Sequence, residues 1–444
     1  MTTHFDPPKR AAVYTLGCKV NQYESAYITQ ALVGRGYELV PYPGPAEVVV
    51  VNTCTVTAKA GAQSRQTLRR AASLNPGAVI VATGCHAQTN PEELAAISGV
   101  ALVAGNAEKP AIADMIASGR VGPGSGLKMV GAIHQRSGFD HLPITELTGR
   151  TRAYLKVQDG CNSFCTFCAV PYARGRSRSL DQSVVLEEFR RLGAAGFREV
   201  VLTGIHLGVY GHDLTPQTDL VTLLQAAVAM EPTFRLRLSS LEPTEVTLEL
   251  LQLMAESDYI CPNLHIPLQS GHDDILARMG RPYGAAAFAR MLEEVFRYLP
   301  RAGVGLDVMV GFPGEDDRAF EATHALISSF PIAYLHVFPF SPRPGTAAAK
   351  FGGRVTGQVA ADRAERLRQL GLAKRLEFYT RHIGQVVAVL VESKPDPETG
   401  LLHGFASNYL PVLLQHLPPD RINHIVSARI TGVVNNQPMG AVVG

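Results

Sequence analysis

Cys161-Asn-Ser-Phe-Cys165-Thr-Phe-Cys168 puts three thiols on one short loop, directly after the apolar stretch Tyr154–Gln158. A C-x3-C-x2-C spacing lets three side chains converge on one centre. Three thiolates on a four-iron cluster leave one iron without a protein ligand, an open position where a small molecule can bind and be reduced. Structural zinc asks for a fourth ligand close by, and the nearest histidines, His141 and His206, stand at no finger-like spacing. Ordinary core thiols are the third reading. The iron–sulfur reading is favoured.

Working outward from this loop, short apolar runs alternate with helical stretches. Tyr154–Gln158, Glu199–Thr203, Phe234–Ser239, Asn263–Leu268, Val304–Val310 and Ala333–Phe338 read as six strands, with helices such as Ser183–Ala195, Val246–Ser257, Ala285–Tyr298 and Asp317–Ser328 among them. Repeated βα units predict a full or partial α/β barrel. Upstream, Ala12–Leu16, Glu47–Asn52, Ala78–Ala82 and Ala101–Ala104 alternate with helices near Tyr23–Val33, Thr57–Ala72 and Pro91–Ile97. Val-rich strands between helices predict a doubly wound parallel sheet. Downstream of a helix near Gly357–Arg381, Ile383–Glu392, Leu401–Phe405, Tyr409–Gln415 and Ile422–Val433 read as strands without intervening helices, a small antiparallel barrel. The predicted domains are residues 1–119, a linker at 120–150 that is rich in glycine, 151–377 and 378–444.

The 444 residues are 46% hydrophobic and 18% charged, with mean hydropathy +0.06, which excludes wholesale disorder. A net charge of +2 names no partner. No apolar run approaches a membrane span, and Met1–Arg10 has no apolar core of an export signal, so a cytoplasmic protein without a membrane partner is expected. Seven cysteines, an odd number in a long chain, point to metal or catalysis rather than a disulfide framework.

Three more cysteines share one slot. Cys18 in Leu16-Gly-Cys-Lys-Val-Asn21, Cys54 in Val51-Asn-Thr-Cys-Thr55 and Cys85 in Ala82-Thr-Gly-Cys85 each follow a predicted strand. Ligands of an open parallel sheet bind outside the carboxyl ends of its strands. These three thiols are therefore expected to meet and hold a second cluster, although 36 and 31 residues separate them. The alternative is that each is buried filler. Cys261, without a partner motif, reads as a small buried hydrophobe.

The Cys161–Cys168 spacing resembles that of the radical S-adenosylmethionine enzymes. That resemblance implies a [4Fe-4S] cluster whose open iron chelates S-adenosylmethionine, with one electron releasing a 5′-deoxyadenosyl radical. It places Phe167 against the adenine; a core Phe on a tight loop is the plainer reading. With Gly17-Cys-Lys-Val-Asn-Gln-Tyr-Glu-Ser25, Asn52-Thr-Cys-Thr-Val-Thr57 and Cys161 through Pro171-Tyr-Ala-Arg-Gly-Arg176, nearly the whole chain is similar to the methylthiotransferases, which replace C–H by C–S–CH3. The family resemblance implies two [4Fe-4S] clusters and two uses of S-adenosylmethionine, as methyl donor and as radical source. It also implies an electron donor such as flavodoxin or ferredoxin, a sulfur source, and a terminal RNA-binding barrel of the TRAM type. Lys19 and Thr55-Val-Thr57 look most like the branch acting on threonylcarbamoyladenosine 37 in the tRNA anticodon loop. The same chemistry on isopentenyladenosine 37 or on an Asp of a small-subunit ribosomal protein is the enzymatic alternative. A zinc-stabilised RNA-binding protein is the non-enzymatic one.

The resemblance further implies cofactor contacts at strand ends of the central block: Thr203 and Gly204, Glu242, Gln269 and Ser270, and Phe312 in Val310-Gly-Phe-Pro-Gly-Glu315. Each is otherwise an ordinary βα turn. Asp307 is a carboxylate inside an apolar strand, expected either in the barrel interior as a cofactor contact or solvated at an edge. For RNA, Arg174, Arg176 and Arg178 follow the cysteine loop, and Arg65, Arg69 and Arg70 follow Cys54. Residues 360–381 carry six Lys and Arg, including Arg366, Lys374 and Arg375, against three acids. A solvated helix face is the plainer reading. Leu376–Gly444 holds four basic and five acidic residues, an unexpected balance for phosphate binding, although His403, Asn408 and Tyr409 are candidates for contacts to bases.

Overall fold

The computed structural model describes residues 9–144 and 151–443. They form two compact units, and the chain passes between them more than once. The cysteine loop, Asp159–Arg178, and a later segment, Ser341–Ala349, belong to the first unit together with the N-terminal block.

The first unit is built on a six-stranded sheet in the order β2-β1-β3-β4-β5-β6, parallel throughout. Its strands are β1 (Arg10–Thr15), β2 (Glu38–Leu39), β3 (Val48–Thr53), β4 (Val79–Gly84), β5 (Val100–Ala104) and β6 (Leu127–Met129). The pleat sends alternate residues of β3 to opposite faces. Val48 and Val50 pack with Ile28 and Leu32 of α1 (Lys19–Val33), while Val49 and Val51 pack with Leu68 and Ala71 of α2 (Ala58–Leu74). Helices on both faces are what a buried parallel sheet requires. The linker expected at 120–150 is partly structure, because β6 extends the sheet at the edge of β5. Three short helices, α3 (Cys85–Thr89), α4 (Pro91–Ala95) and α5 (Ile112–Ala117), complete the block, and α6 (Val170–Arg174) follows the cysteine loop.

The second unit carries the βα repeat. After β7 (Ala153–Lys156), two short strands, β8 (Gln158–Asp159) and β9 (Arg178–Ser179), flank the cysteine loop in sequence. β10 (Glu199–Thr203) pairs in parallel with β7 and with β11 (Arg235–Leu238). β12 (Asn263–Gln269), β13 (Gly303–Val310) and β14 (Tyr334–Pro339) form a second parallel trio. A single bridge between Leu236 and Ile260 joins the two trios, so the six strands make a partial barrel. Helices α7 (Gln182–Ala194), α8 (Leu220–Val228), α9 (Leu248–Glu256), α10 (Asp273–Arg278), α11 (Ala285–Tyr298) and α12 (Asp317–Ser328) intervene, and α13 (Gly357–Thr380) follows.

The terminal strands β15 (Val386–Val391), β16 (His403–Ala406), β17 (Pro411–Gln415), β18 (Ile425–Val434) and β19 (Gln437–Val442) close a barrel in the order β15-β16-β17-β19-β18. It is antiparallel except between β17 and β19. A closed ring of five strands cannot alternate direction at every seam, so one parallel pair is unavoidable. Among the described residues, no helix is long and apolar enough to cross a membrane.

Candidate functional site

β1, β3 and β4 are neighbours in the first sheet, and each hands the chain to a cysteine at its carboxyl end. Cys18 is the exposed first residue of the turn into α1, and its side chain makes no capping bond. Cys54 and Cys85 are buried. Gly17 sits so close to Cys54 that an added Cβ would meet its Cβ and Sγ at 3.0 Å, so only glycine lets these two segments approach. Gly84, at φ +96°, has Thr53 backbone and Asn52 Oδ1 within 2.7 Å of where its Cβ would be. Burial, then the neighbouring Cys85 and Cys18 sulfurs, push the Cys54 thiol up to about 11. Burial and the neighbouring sulfurs thus disfavour a thiolate at Cys54, and a metal assembly there would supply compensating charge. The donor set fits an iron–sulfur cluster.

The second thiol set lies in the same compact unit. Cys161 and Cys168 each receive a backbone N–H on sulfur at 3.4 Å, from Ser163 and Val170. Such donors to sulfur are the environment iron–sulfur ligands occupy. The loop is pinned by Cys161 N–H to Gly175 O at 3.0 Å and by Ala348 N–H to Thr166 O at 2.8 Å. Phe164 adopts φ +44° and stays exposed, whereas Phe167 is half-buried.

Between the two thiol sets lies a buried polar network that sequence reasoning missed. Arg174, expected on an RNA face, is 0% exposed. Its guanidinium pairs with Glu24, donates to Asn21 Oδ1 at 2.5 Å and directs Nε–H to Cys85 Sγ at 3.4 Å. Lys109, also buried, pairs with Glu24 and donates to Asn106 Oδ1 at 2.7 Å. Burial opposes the charge on Arg174, but Cys85, Glu24 and Asp159 outweigh it and raise its pKa further. Arg178 is corrected too: it is buried, bonded to the carbonyls of Arg176 and Arg174. Of the three arginines only Arg176 is exposed.

In the second unit the strand ends divide. Thr203 ends β10 as a buried residue, and at Gly204 a Cβ would meet the Gln158 side chain at 3.0 Å. Gln269 ends β12 at φ +63°, where the register with β13 slips; such strain at a bulge is a mark of functional sites. Asp307 accepts at one oxygen, Oδ1, from His265 Nε2 at 2.9 Å and His336 Nδ1 at 3.2 Å. Burial pushes this acid up, but the two imidazoles hold it down at about 2. One nitrogen of His265, one oxygen of Asp307 and one nitrogen of His336 lie within 4.8 Å of one another. Glu242 is paired with Arg281. Two expectations are corrected. Ser270 is fully buried, its hydroxyl 3.4 Å from Thr323 Oγ1, so it closes a turn. Phe312 is fully buried edge-on against Phe340 and Phe351, which leaves no ring face for an adenine.

Residues 10–105 match the uncharacterized protein family UPF0004, and residues 155–327 match the radical SAM superfamily. A threonylcarbamoyladenosine tRNA methylthiotransferase MtaB of Bacillus subtilis is 39% identical, over 94% of this chain and 93% of its own length. The MtaB of Rickettsia prowazekii is 36% identical over 96% and 95%. This chain belongs to the MtaB branch of the radical SAM methylthiotransferases. A tRNA-2-methylthio-N(6)-dimethylallyladenosine synthase of Pelotomaculum thermopropionicum, at 30% identity over 96% and 95%, is a relative from a sister branch. The solved radical S-adenosylmethionine methyltransferase TsrM of Kitasatospora setae, with cobalamin and a [4Fe-4S] cluster bound, has TM-score 0.53 at 17% identity and covers 77% of each chain, a likeness of fold.

For a methylthiotransferase of this branch the basic helix α13 is less available than its sequence suggests. Lys374 is buried and donates to Ser328 O at 2.7 Å, which corrects its place on an RNA face. Arg366 is half exposed but pairs with Glu321 at 2.8 Å, and Arg375 is half-buried. In the terminal barrel, Asn408 is buried against His382 at 2.8 Å, and Tyr409 stacks on Phe405 at 4.9 Å, so neither presents itself to a base.

Proposed function

We propose that this chain converts N6-threonylcarbamoyladenosine at position 37 of tRNA into its 2-methylthio derivative. The observation that carries the reading is the placement of Cys18, Cys54 and Cys85 at the carboxyl ends of three adjacent parallel strands, in one unit with Cys161, Cys165 and Cys168. The likeness to MtaB along almost the whole chain supports the choice of substrate. Cys161, Cys165 and Cys168 hold the cluster of the radical domain, and Cys18, Cys54 and Cys85 hold a second [4Fe-4S] cluster. Bound there, the clusters and S-adenosylmethionine supply hydrogen abstraction from the adenine C2 and the methylated sulfur that replaces it.

The protein's own part is positioning. Phe167 packs against the adenine of S-adenosylmethionine. Thr203 and Gly204 offer backbone carbonyls to its ammonium group, and Gln269 and Asp307 accept from its hydroxyls. Held ionised by two histidines, Asp307 is acceptor-only. Glu242 acts through its ion pair with Arg281, which orders the strand end. Arg176, Arg366 and Arg375 meet phosphates of the anticodon loop. Residues 1–119 form the sulfur-inserting domain, 151–377 the radical domain and 378–444 the RNA-binding barrel. An electron donor such as flavodoxin or ferredoxin and a sulfur source complete the system, in the cytoplasm.

Mass spectrometry of tRNA nucleosides from cells with and without the gene tests this. Loss of 2-methylthio-threonylcarbamoyladenosine, with its unthiolated precursor accumulating, is expected. Loss of the 2-methylthio form of dimethylallyladenosine instead would move the chain to the sister branch represented by the 30% relative.

A further inference from the structure

The helix α6 is five residues long, about 7 Å at 1.5 Å per residue, and it touches both thiol sets. Its first residue, Val170, gives its N–H to Cys168 Sγ; its last, Arg174, gives Nε–H to Cys85 Sγ, each at 3.4 Å. The guanidinium has no freedom to turn elsewhere. Glu24 takes it from one side and Asn21 Oδ1 from another, while Asn106 Nδ2–H holds the carbonyl of Ala173 at 2.7 Å. Glu24 and Asn21 stand on α1, the helix that starts directly after Cys18. Asn21 also donates to the carbonyls of Leu16 and Thr53, the residues two before Cys18 and one before Cys54. One side chain and its two acceptors thus connect with the chain at all three cysteines of the first set.

We propose that Arg174 is a positioning residue for the assembly held by Cys18, Cys54 and Cys85: it fixes the Cys85 sulfur and, as a buried cation donating to that sulfur, raises the reduction potential of the assembly. The proposal rests on the reading that these cysteines carry an iron–sulfur cluster. Hydrogen bonds to ligating sulfur and nearby positive charge favour the reduced, more negative form of such a cluster. Because Arg174 ends the helix whose first residue, Val170, donates to Cys168 Sγ, the structure also makes the electronic setting of the sulfur-bearing site depend on the placement of the radical-generating loop.

The test uses the full-length chain carrying Cys161→Ala, Cys165→Ala and Cys168→Ala, reconstituted anaerobically so that only the first set can hold iron. Iron and sulfide per chain are measured first, followed by a redox titration monitored by electron paramagnetic resonance. Into this parent go Arg174→Lys, Arg174→Met, and the pair Arg174→Met with Glu24→Gln, which avoids leaving the Glu24 carboxylate short of a partner should the single variant fail to fold. The expected result is a midpoint shifted to more negative potential in the Met variants, a smaller shift with Lys, which keeps the charge but loses the directed Nε–H, and an altered resonance line shape. An iron-loaded parent whose midpoint and line shape are indifferent to all three replacements overturns the proposal alone. A parent that binds no iron overturns the cluster reading, and the proposal with it.

Discussion

Arg237 reaches Glu199 through Nε at 2.7 Å, and neither side chain exposes more than 1% of its surface. The same carboxylate takes Arg235 Nε at 2.7 Å. Both guanidiniums then continue into the terminal barrel. Arg237 donates to Ser407 O at 2.9 Å and Ala406 O at 3.2 Å, and Arg235 donates to Ala388 O at 2.9 Å and Phe405 O at 2.8 Å. One buried acid on β10 thus holds two cations that fasten β15, β16 and the turn after β16 to the central strands. Gly303 makes room for that turn, since a Cβ there would strike Asn408 O at 1.9 Å.

Glu199→Gln should therefore destabilise far beyond a surface ion pair. Breaking a buried pair leaves uncompensated charge and costs about 3–5 kcal/mol. Denaturant unfolding of the two proteins at neutral pH measures it directly. A loss below about 1 kcal/mol, the range of exposed pairs, would mean that the carbonyls alone satisfy the two arginines.

The acid limit follows from the same residue. Burial by itself would raise the pKa of Glu199, but Arg237, Arg235 and Arg152 hold it at about 2. A carboxylate depressed in the folded state stabilises above its unfolded pKa of about 4, and that contribution disappears as pH falls from about 4 towards about 2. Stability owed to Glu199 should be constant from neutral pH down to about 5. Urea midpoints at pH 7 and pH 3 should diverge more for the natural chain than for Glu199→Gln. Equal losses would assign the acid sensitivity elsewhere, with Asp307, also held at about 2, the next acid to replace.

The strands of both α/β blocks were legible because parallel strands buried on two faces read as unbroken Val and Ile runs, as in Val48–Val51. The placement of Cys18, Cys54 and Cys85 past the ends of adjacent strands was legible from their recurrence after Val-rich runs. Arg174 was not. In Arg174-Gly-Arg176 nothing distinguishes the inward arginine from the outward one, because its partner Glu24 lies 150 residues away. Lys374 misleads similarly, as burial along a helix carrying five basic residues depends on which face meets α12. The final strand β19 had a signal that went unread: Asn435 and Asn436 both take positive φ, 50° and 59°, the residue type and conformation of a tight hairpin turn. The Asp307 trio could not be foreseen, since His265, Asp307 and His336 meet only once the register of β12, β13 and β14 is set.

Gly160, the residue before Cys161, has φ +75°, and a Cβ on it would lie 2.0 Å from Arg176 O. That obstacle is backbone, so no side-chain rotation relieves it, and a left-handed conformation adds strain for any other residue. Gly160→Ala should displace Cys161 while leaving the sheet of the first unit folded. After anaerobic reconstitution, iron per chain should fall towards half that of the natural chain, with far-ultraviolet circular dichroism unchanged. Full iron loading would show that the loop accommodates the methyl group and that Cys161 does not depend on this turn.

Asp307→Asn keeps the shape but replaces an ionised acceptor by a neutral amide, beside two imidazoles that hydrogen-bond to one oxygen. Hydrogen bonds to charged groups contribute about 1.5–3 kcal/mol, which is roughly 10- to 150-fold in affinity. If Asp307 accepts from S-adenosylmethionine as proposed, formation of 5′-deoxyadenosine should need that much more cofactor and should approach the natural rate at saturation. An unchanged cofactor dependence would leave Asp307 as a purely internal partner of His265 and His336.

The two thiol sets should separate when broken one at a time. Cys161→Ala removes a ligand from the loop where S-adenosylmethionine is proposed to bind, so 5′-deoxyadenosine formation should cease and no modified tRNA should appear. Cys54→Ala breaks the other set. Its sulfur is buried against Gly17, and replacement by alanine removes only the thiol, so the β1, β3 and β4 ends should hold their places. Cofactor cleavage should then persist while transfer of sulfur to tRNA stops, read in a single incubation by chromatography of 5′-deoxyadenosine and mass spectrometry of the digested tRNA. Thiomethylated product from Cys54→Ala would show that sulfur does not pass through the Cys18, Cys54 and Cys85 set, and cleavage surviving Cys161→Ala would remove the radical assignment itself.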